Sequence, residues 1–512
     1  MLVKCYSSAL IGIDAITITI EVNVSPGVQT YIVGLPDNAV KESQQRIFSA
    51  FENNGFRVPG RKIVVNMAPA GIKKEGALYD LPIALGLLAA SGQMNPDMLA
   101  SYVVLGELSL DGNLKPIAGA LPMAIKAREE HFAAVIVPCE NAREAAVIDG
   151  LEVYGARNLQ EVVAHFNGTL PMKRVTADMG RGDVTGASAG DVDFADVKGQ
   201  QVVKRALEIA AAGGHNILMV GPPGAGKTML ARRIPTIMPP MTADEALETT
   251  KIHSVAGKMG VDSGLMTTRP FRSPHHAISN VALVGGGSNP QPGEISLSHN
   301  GVLFLDEMPE YSRSVLEVMR QPLEDGVITV SRARYSVEYP ARFMLVASMN
   351  PCPCGYYTHP EKECCCKIGD IKRYHARISG PLLDRIDIHI EVMPVKVSEL
   401  SQSHSEETSA QIRARVERAR QVQTQRFAGT DVHTNAGMNS RMVERYCRLG
   451  RGSRQLLDSA IEQMGLSARA YHRILKVART IADLDGQEDV GSAHIAEAVQ
   501  YRSYDMMAGR IM

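Results

Sequence analysis

The sequence predicts an α/β protein of two successive α/β segments and a helical one. Three observations predict it. Apolar, strand-like runs alternate with helical periodicity across residues 1–168 and again across 194–395. The stretch PMKRVTADMGRGDVTGASAGDVD, within 169–193, is polar, Gly-rich and aperiodic, the composition of a solvated connection. From 396 to 512 the chain reads as helices with no convincing strand. At 512 residues it is too long for one hydrophobic core, and domains of about 150 residues suggest three.

In the first segment, residues 15–24, 62–67 and 133–137 alternate like strands, while 81–90 and 121–130 carry helical periodicity. The opening MLVKCYSSALIGIDAITITIEV also alternates, and lacks the basic start, apolar run and small-residue cleavage site of a signal peptide. No stretch of about twenty apolar residues is present, so no membrane partner and a cytoplasmic location are expected. Lys and Arg total 54 against 55 Asp and Glu, so nucleic-acid binding requires a local basic surface rather than a polycationic chain.

In the second segment the apolar run 217–220 leads into GPPGAGKT, which matches the phosphate-binding pattern GxxxxGK[ST] and precedes a helical run. Gly221, Pro222, Pro223, Gly224, Ala225 and Gly226 form the loop, whose glycines let backbone N–H groups face a β-phosphate. Lys227 reaches the β and γ oxygens of ATP, and Thr228 is a hard oxygen ligand for magnesium (Mg2+). Further on, GVLFLDE is an apolar strand delivering adjacent carboxylates: Asp306 to hold magnesium, and Glu307 to polarise the attacking water. A third apolar run, 344–348, ends near Asn350, an amide able to report a γ-phosphate or simply to form the turn before Pro351. SGPLLDRIDIHIEV carries Arg385, and LSARAYHRILKVARTIADL carries Arg469 and Arg473. Isolated arginines of this kind are ordinarily solvated or paired.

The ordered motifs DVKGQ, GPPGAGKT, RPFRSPHH, LFLDE, MRQPLED, NPCPCG and SGPLLDRIDIHIEV resemble the magnesium-chelatase-like AAA+ family of YifB and ComM over nearly the whole chain. The resemblance implies a central AAA+ P-loop domain and a C-terminal helical lid domain. It also implies a homo-oligomeric, hexameric ring with Asn350 as sensor 1, Arg469 as sensor 2 and Arg385 as the arginine finger. An insertion at about 254–292 and a hairpin at about 327–339 belong to the same pattern. The first segment is similar to the Lon-protease-like (ribosomal S5 domain 2-like) fold at KKEGALYDLPIALG and GELSLDGNLKPIAGALPMA. There the nucleophile position falls at Leu78 and the base position at Leu121, so no Ser-Lys dyad exists and no peptidase activity is expected. Lys73, Lys74 and Asp80 do not rebuild the dyad, and surface charge or packing is their simplest role.

On the hairpin, ITVSRARYSVEY alternates Arg332, Arg334 and Ser336 on one face, suited to DNA phosphates or to plain solvation. A second basic stretch, QIRARVERARQVQTQR, has five Arg against one Glu. It reads equally as a solvated face or a subunit contact.

Five of eight cysteines cluster in NPCPCGYYTHPEKECCCK. In family terms, CxC at both ends selects Cys352, Cys354, Cys364 and Cys366 as a structural zinc (Zn2+) clip. Cys365 is then spare, and His359 is an alternative ligand. The family role implied is ATP-driven remodelling of single-stranded, forked or branched DNA, by branch migration or helicase action in recombination during natural transformation. The alternatives are a metal-chelatase subunit and a protein-remodelling ATPase without peptidase activity.

Overall fold

The computed structural model describes residues 1–176, 192–260, 263–287, 290–332, 335–357, 359, 361–395, 406–502 and 504, so most of the expected linker, 177–191, lies outside the described residues. Two compact units divide the chain. The first comprises Met1–Gly186, Thr242–Thr267 and Pro290–Pro292, and the second Ala187–Met241, Thr268–Asn289 and Gly293–Met512.

The first unit is built on an eight-stranded sheet. Its strands are β1 (Leu2–Ile11), β2 (Asp14–Ser25), β3 (Thr30–Val33), β4 (Lys62–Ala68), β5 (Tyr102–Val104), β6 (Ala134–Pro138), β7 (Glu152–Ala156) and β8 (Arg174–Val175), in the order β8-β7-β6-β5-β1-β2-β4-β3. Alternation makes β2: Ile18, Ile20, Val22 and Val24 enter the core while the residues between them do not. Helix α1 (Asn38–Asn53) starts at Asp37, whose carboxylate accepts the Val40 N–H. All eleven residues of α2 (Asp80–Ala90) are buried, which explains why the run after Asp80 is apolar all round. Helices α3 (Ala120–Glu129), α4 (Cys139–Ala145) and α5 (Leu159–Phe166) complete the unit's own sequence.

The second unit opens with α6 (Gln201–Gly213), strand β9 (Ile217–Val220) and α7 (Lys227–Ile237). The next helix, α8 (Ala243–Val255), lies in sequence inside the 194–395 stretch but belongs to the first unit. A capping box between Thr242 and Glu245 starts it. Its end supplies what a buried carboxylate needs: the Ser254 hydroxyl donates to Glu144, which also accepts the Leu121 N–H at 3.1 Å, and Ser254 O accepts the Gly119 N–H at 2.9 Å. Lys251 Nζ reaches Asp14 at 2.7 Å.

The second unit's sheet is parallel throughout and ordered β10-β11-β14-β9-β15. Here β10 is Phe271–Arg272, β11 Val302–Leu305, β14 Met344–Met349 and β15 Ile388–Glu391. Strands β12 (Val327–Arg332) and β13 (Tyr335–Pro340) form a separate antiparallel hairpin. β9, β11 and β14 are buried at every residue, as parallel strands covered on both faces must be. The C-terminal region is helical. Its helices α9 (Ser409–Arg426), α10 (Ser440–Tyr446), α11 (Arg451–Met464), α12 (Ala468–Leu484) and α13 (Ser492–Gln500) share one apolar core with α6, α7 and the sheet. Among the described residues no helix is long and apolar enough to cross a membrane.

Candidate functional site: a nucleotide cradle at the sheet edge

Strand β9, flanked by β14 and β15, delivers the loop 221–228 to the carboxyl end of the sheet, where Gly221 N–H bonds Met349 O at 3.1 Å. Gly224 (φ +79°) and Gly226 (φ +87°) are left-handed, which only glycine adopts without strain, and Gly226 caps the N-terminus of α7. The helix therefore opens its unsatisfied N–H groups toward the loop. Pro222 and Ala225 are buried and Pro223 is exposed. Gln200 Nε2 ties the loop from outside by donating to Ala225 O at 2.9 Å and Met393 O at 3.2 Å.

The buried Lys227 donates from Nζ to Gly221 O at 2.7 Å, Pro222 O at 3.0 Å and Asn350 Oδ1 at 3.2 Å. Burial holds its pKa below the usual lysine value, while the Asp306 and Glu307 carboxylates oppose that shift. Thr228 Oγ1 donates to Asp306 Oδ2 at 2.8 Å, and Ser348 Oγ donates to Asp306 Oδ1. Ser348 Oγ also accepts the Glu307 N–H at 3.2 Å, and Glu307 adopts φ +53°, a left-handed turn. One hydroxyl thus holds both members of the acid pair.

Ser348 is a site residue that sequence reading missed. Its signal is register: Leu305 pairs with Ala347 in adjacent parallel strands, so the next residues, Asp306 and Ser348, stand side by side. The structure thereby brings together Lys227, Thr228, Asp306, Glu307 and Asn350.

Arg385 and Arg469 lie elsewhere. The buried Arg385 forms an ion pair with Glu324 and donates to Pro381 O. Arg469 is exposed in the first turn of α12, a helix capped by Ser467. Arg473, one turn on, pairs with the deeply buried Asp387, which His215 Nδ1 approaches at 3.2 Å. Burial alone would raise the Asp387 pKa. Arg473, His215 and Lys476 outweigh that and hold it well below the usual carboxylate value.

Asn216 completes this hub. It donates to Arg385 O at 3.0 Å and accepts the Leu345 N–H at 2.8 Å, joining the β9 and β14 strands to the Arg385 segment. Asp387→Ala leaves the part-exposed Arg473 without its carboxylate and the fully buried His215 without its partner. It is expected to destabilise the unit by somewhat less than the roughly 3–5 kcal/mol of a wholly buried broken pair, read as a lower Tm. Because the folded pKa is depressed, this contribution is present above the unfolded carboxyl value of about 3.9 and fades as pH falls. The Tm gap should narrow in acid.

Arg332 ends β12, its backbone in register with Tyr335, and Arg334 lies outside the described residues. The basic stretch on α9 is largely engaged within the unit. Arg415 pairs with Glu208 at 2.5 Å and Glu407 at 2.7 Å, Arg420 donates to Ala211 O at 2.8 Å, and Arg426 meets Asp483 at 2.5 Å.

The sulfurs of Cys352, Cys354, Cys364 and Cys366 all lie within 4.8 Å of one another, while Cys365 is exposed. Cys352 stands 3.3 Å from Cys354 and 3.6 Å from Cys364, too long for disulfides. A tetrahedral zinc with Zn–S of about 2.3 Å requires sulfur separations of about 3.8 Å, so the set fits such an ion. His359 is not in this group. Its Nδ1 accepts the Glu361 and Lys362 N–H groups at 3.0 Å.

In the first unit, Leu121 is buried and Leu78 packs against its cores. Neither offers a nucleophile or a base. Lys74 is fully enclosed, donating to Gly34 O at 2.9 Å and to Pro69 O, and Arg46 clamps Asp80 at 2.6 and 2.9 Å. For these two the role is packing rather than surface charge. Lys73 bonds Glu75 at 2.5 Å and remains exposed.

Three family profiles cover the sequence: "Magnesium chelatase, subunit ChlI" over 193–400, "Subunit ChlI of Mg-chelatase" over 20–141, and "Magnesium chelatase, subunit ChlI C-terminal" over 406–502. The chain is 45% identical to competence protein ComM of Haemophilus influenzae over 500 residues, covering 97% of each chain. It is 43% identical to YifB of Escherichia coli over 504 residues, 98% of this chain and 97% of that one. Lon protease 2 of Bacillus subtilis is 29% identical over 124 residues, 24% of this chain and 22% of that one.

Proposed function

From the premise that the chain belongs to the ComM and YifB family of magnesium-chelatase-like AAA+ proteins, we propose that it is an ATP-hydrolysing motor that remodels branched DNA. Its task in this reading is branch migration or helicase action in recombination during natural transformation. The observation that carries the ATPase part is the pair of direct hydrogen bonds, Lys227 to Asn350 and Thr228 to Asp306, at the carboxyl end of one parallel sheet. The name of the relative ComM supports the competence setting.

Magnesium-bound ATP supplies the reactive γ-phosphate, with the metal neutralising charge on its oxygens. Lys227 and the N-terminus of α7 hold the phosphates, and Thr228 and Asp306 offer two hard oxygens, a donor set that fits magnesium. Glu307 orients water, Asn350 senses the γ-phosphate, and Arg385 acts on a neighbouring subunit's site in a hexameric ring. Arg469 serves as the sensor on the lid. Arg332 and Arg334 contact DNA phosphates. The four cysteines hold a structural zinc, and the first unit serves assembly or partner binding without cleaving peptides.

The test is ATP turnover with and without forked or four-way DNA at two salt concentrations, with Lys227→Ala as control. Stimulation that weakens as salt rises, and is absent in the variant, is the expected result, because phosphate contacts release counterions. Turnover indifferent to every DNA would sink the DNA reading and favour protein remodelling.

A further inference from the structure

The cysteine group touches the nucleotide cradle at two points. Along the chain, Cys352 stands two residues after Asn350, whose Oδ1 accepts from Lys227 at 3.2 Å. Through space, Gly355 lies against the phosphate loop so closely that a Cβ there would stand 2.4 Å from Pro223 Cδ and 2.9 Å from its Cγ. Gly355 is buried and left-handed (φ +85°), so both its conformation and its clearance exclude a side chain. Pro351 O, between the two points, lies 2.9 Å from His375 Nε2.

Among the described residues, the apolar core of the segment from Cys352 to Ile371 has those two residues as its fully buried members, with Tyr357 and the other three cluster cysteines packed around them. A loop so poor in burial depends on its cross-link for order, as small metal-bound motifs do.

We propose that the centre formed by Cys352, Cys354, Cys364 and Cys366, binding a thiophilic divalent cation of the zinc class, is a positioning element of the ATP site. It presses Gly355 onto Pro223 and fixes Asn350 beside Lys227. This rests on the nucleotide-binding reading above and adds that ATP affinity depends on the metal. The cysteines touch no phosphate, and their effect passes through the loop 221–228 and Asn350.

The test uses the purified full-length chain, with zinc per chain measured by plasma mass spectrometry and binding of a fluorescent ATP analogue as readout. Chelator-stripped protein is expected to bind the analogue about tenfold more weakly and to recover on zinc addition. Gly355→Ala should keep its zinc yet also bind about tenfold more weakly, because overpacking displaces Pro223. Cys365→Ser should change neither quantity. Stripped protein or a zinc-loaded Gly355→Ala variant that binds like the unaltered chain overturns the proposal, as does a chain purified without zinc that binds normally. Absence of analogue binding in the zinc-loaded, unaltered chain removes the nucleotide reading itself, and this proposal with it.

Discussion

A Glu307→Gln protein is expected to bind ATP as the unaltered chain does and to hydrolyse it about 10²–10⁴-fold more slowly. The two carboxylates of the pair are placed differently. Both Asp306 oxygens are engaged, by Thr228 and Ser348, whereas among the described residues no hydrogen bond engages the exposed Glu307 carboxylate. What holds Glu307 is its backbone, bonded to Ser348 Oγ at 3.2 Å, and a glutamine preserves that anchor and the side-chain shape. The substitution therefore removes the negative charge of the carboxylate and little else. Single-turnover hydrolysis measured beside equilibrium ATP binding separates the two steps. A glutamine variant retaining more than about a tenth of the rate refutes the assignment. Lys227→Ala, by contrast, should lose binding, because it removes the donor that spans the loop and Asn350.

Arg385→Ala is expected to lower hydrolysis by about 10³–10⁵ with ATP binding retained, the size of effect an arginine finger supplies. Within its own chain Arg385 is buried against Glu324, so reaching a neighbour's phosphate requires exchanging one anionic partner for another. Mixing separates a role in trans from a structural one. Lys227→Ala subunits carry an intact Arg385, and Arg385→Ala subunits carry an intact cradle. Two inactive preparations should therefore regain turnover when combined. Failure to recover, with both variants folded and assembled, places Arg385 in a structural role instead.

How much of this was legible beforehand depends on how far apart the cooperating residues lie. The phosphate loop reads directly because its form is dictated locally: glycines at 224 and 226 permit left-handed turns, and the lysine follows within the same helix start. The acid pair reads because an apolar strand ends in Asp306 and Glu307. The cysteine cluster reads from its density within residues 352–366, while the choice of four among its five cysteines came from the family resemblance, and the helical character of the C-terminal region reads from its periodicity.

Other features were hidden. Ser348 sits 42 residues from Asp306, His215 is 172 from Asp387, and Arg473 is 86 from it. Nothing in the local pattern marks Ser348 as more than a polar residue ending an apolar run, or Arg473 as other than a surface arginine. Arg415 and Arg426 likewise read as a basic face until Glu208 and Asp483 are found beneath them.

By itself, then, the sequence determined the mixed α/β character of the chain, its helical end and the glycine-bearing turn of the loop 221–228, because backbone conformation and hydrophobic period act within a few residues. Only the tertiary structure decided that α8 docks on the first unit through Ser254 and Glu144, that Ser348 ties Asp306 to Glu307, and that Gly355 abuts Pro223. Those contacts follow from strand register and from the need of buried polar groups for partners, which are properties of the packed chain and not of any short stretch of it.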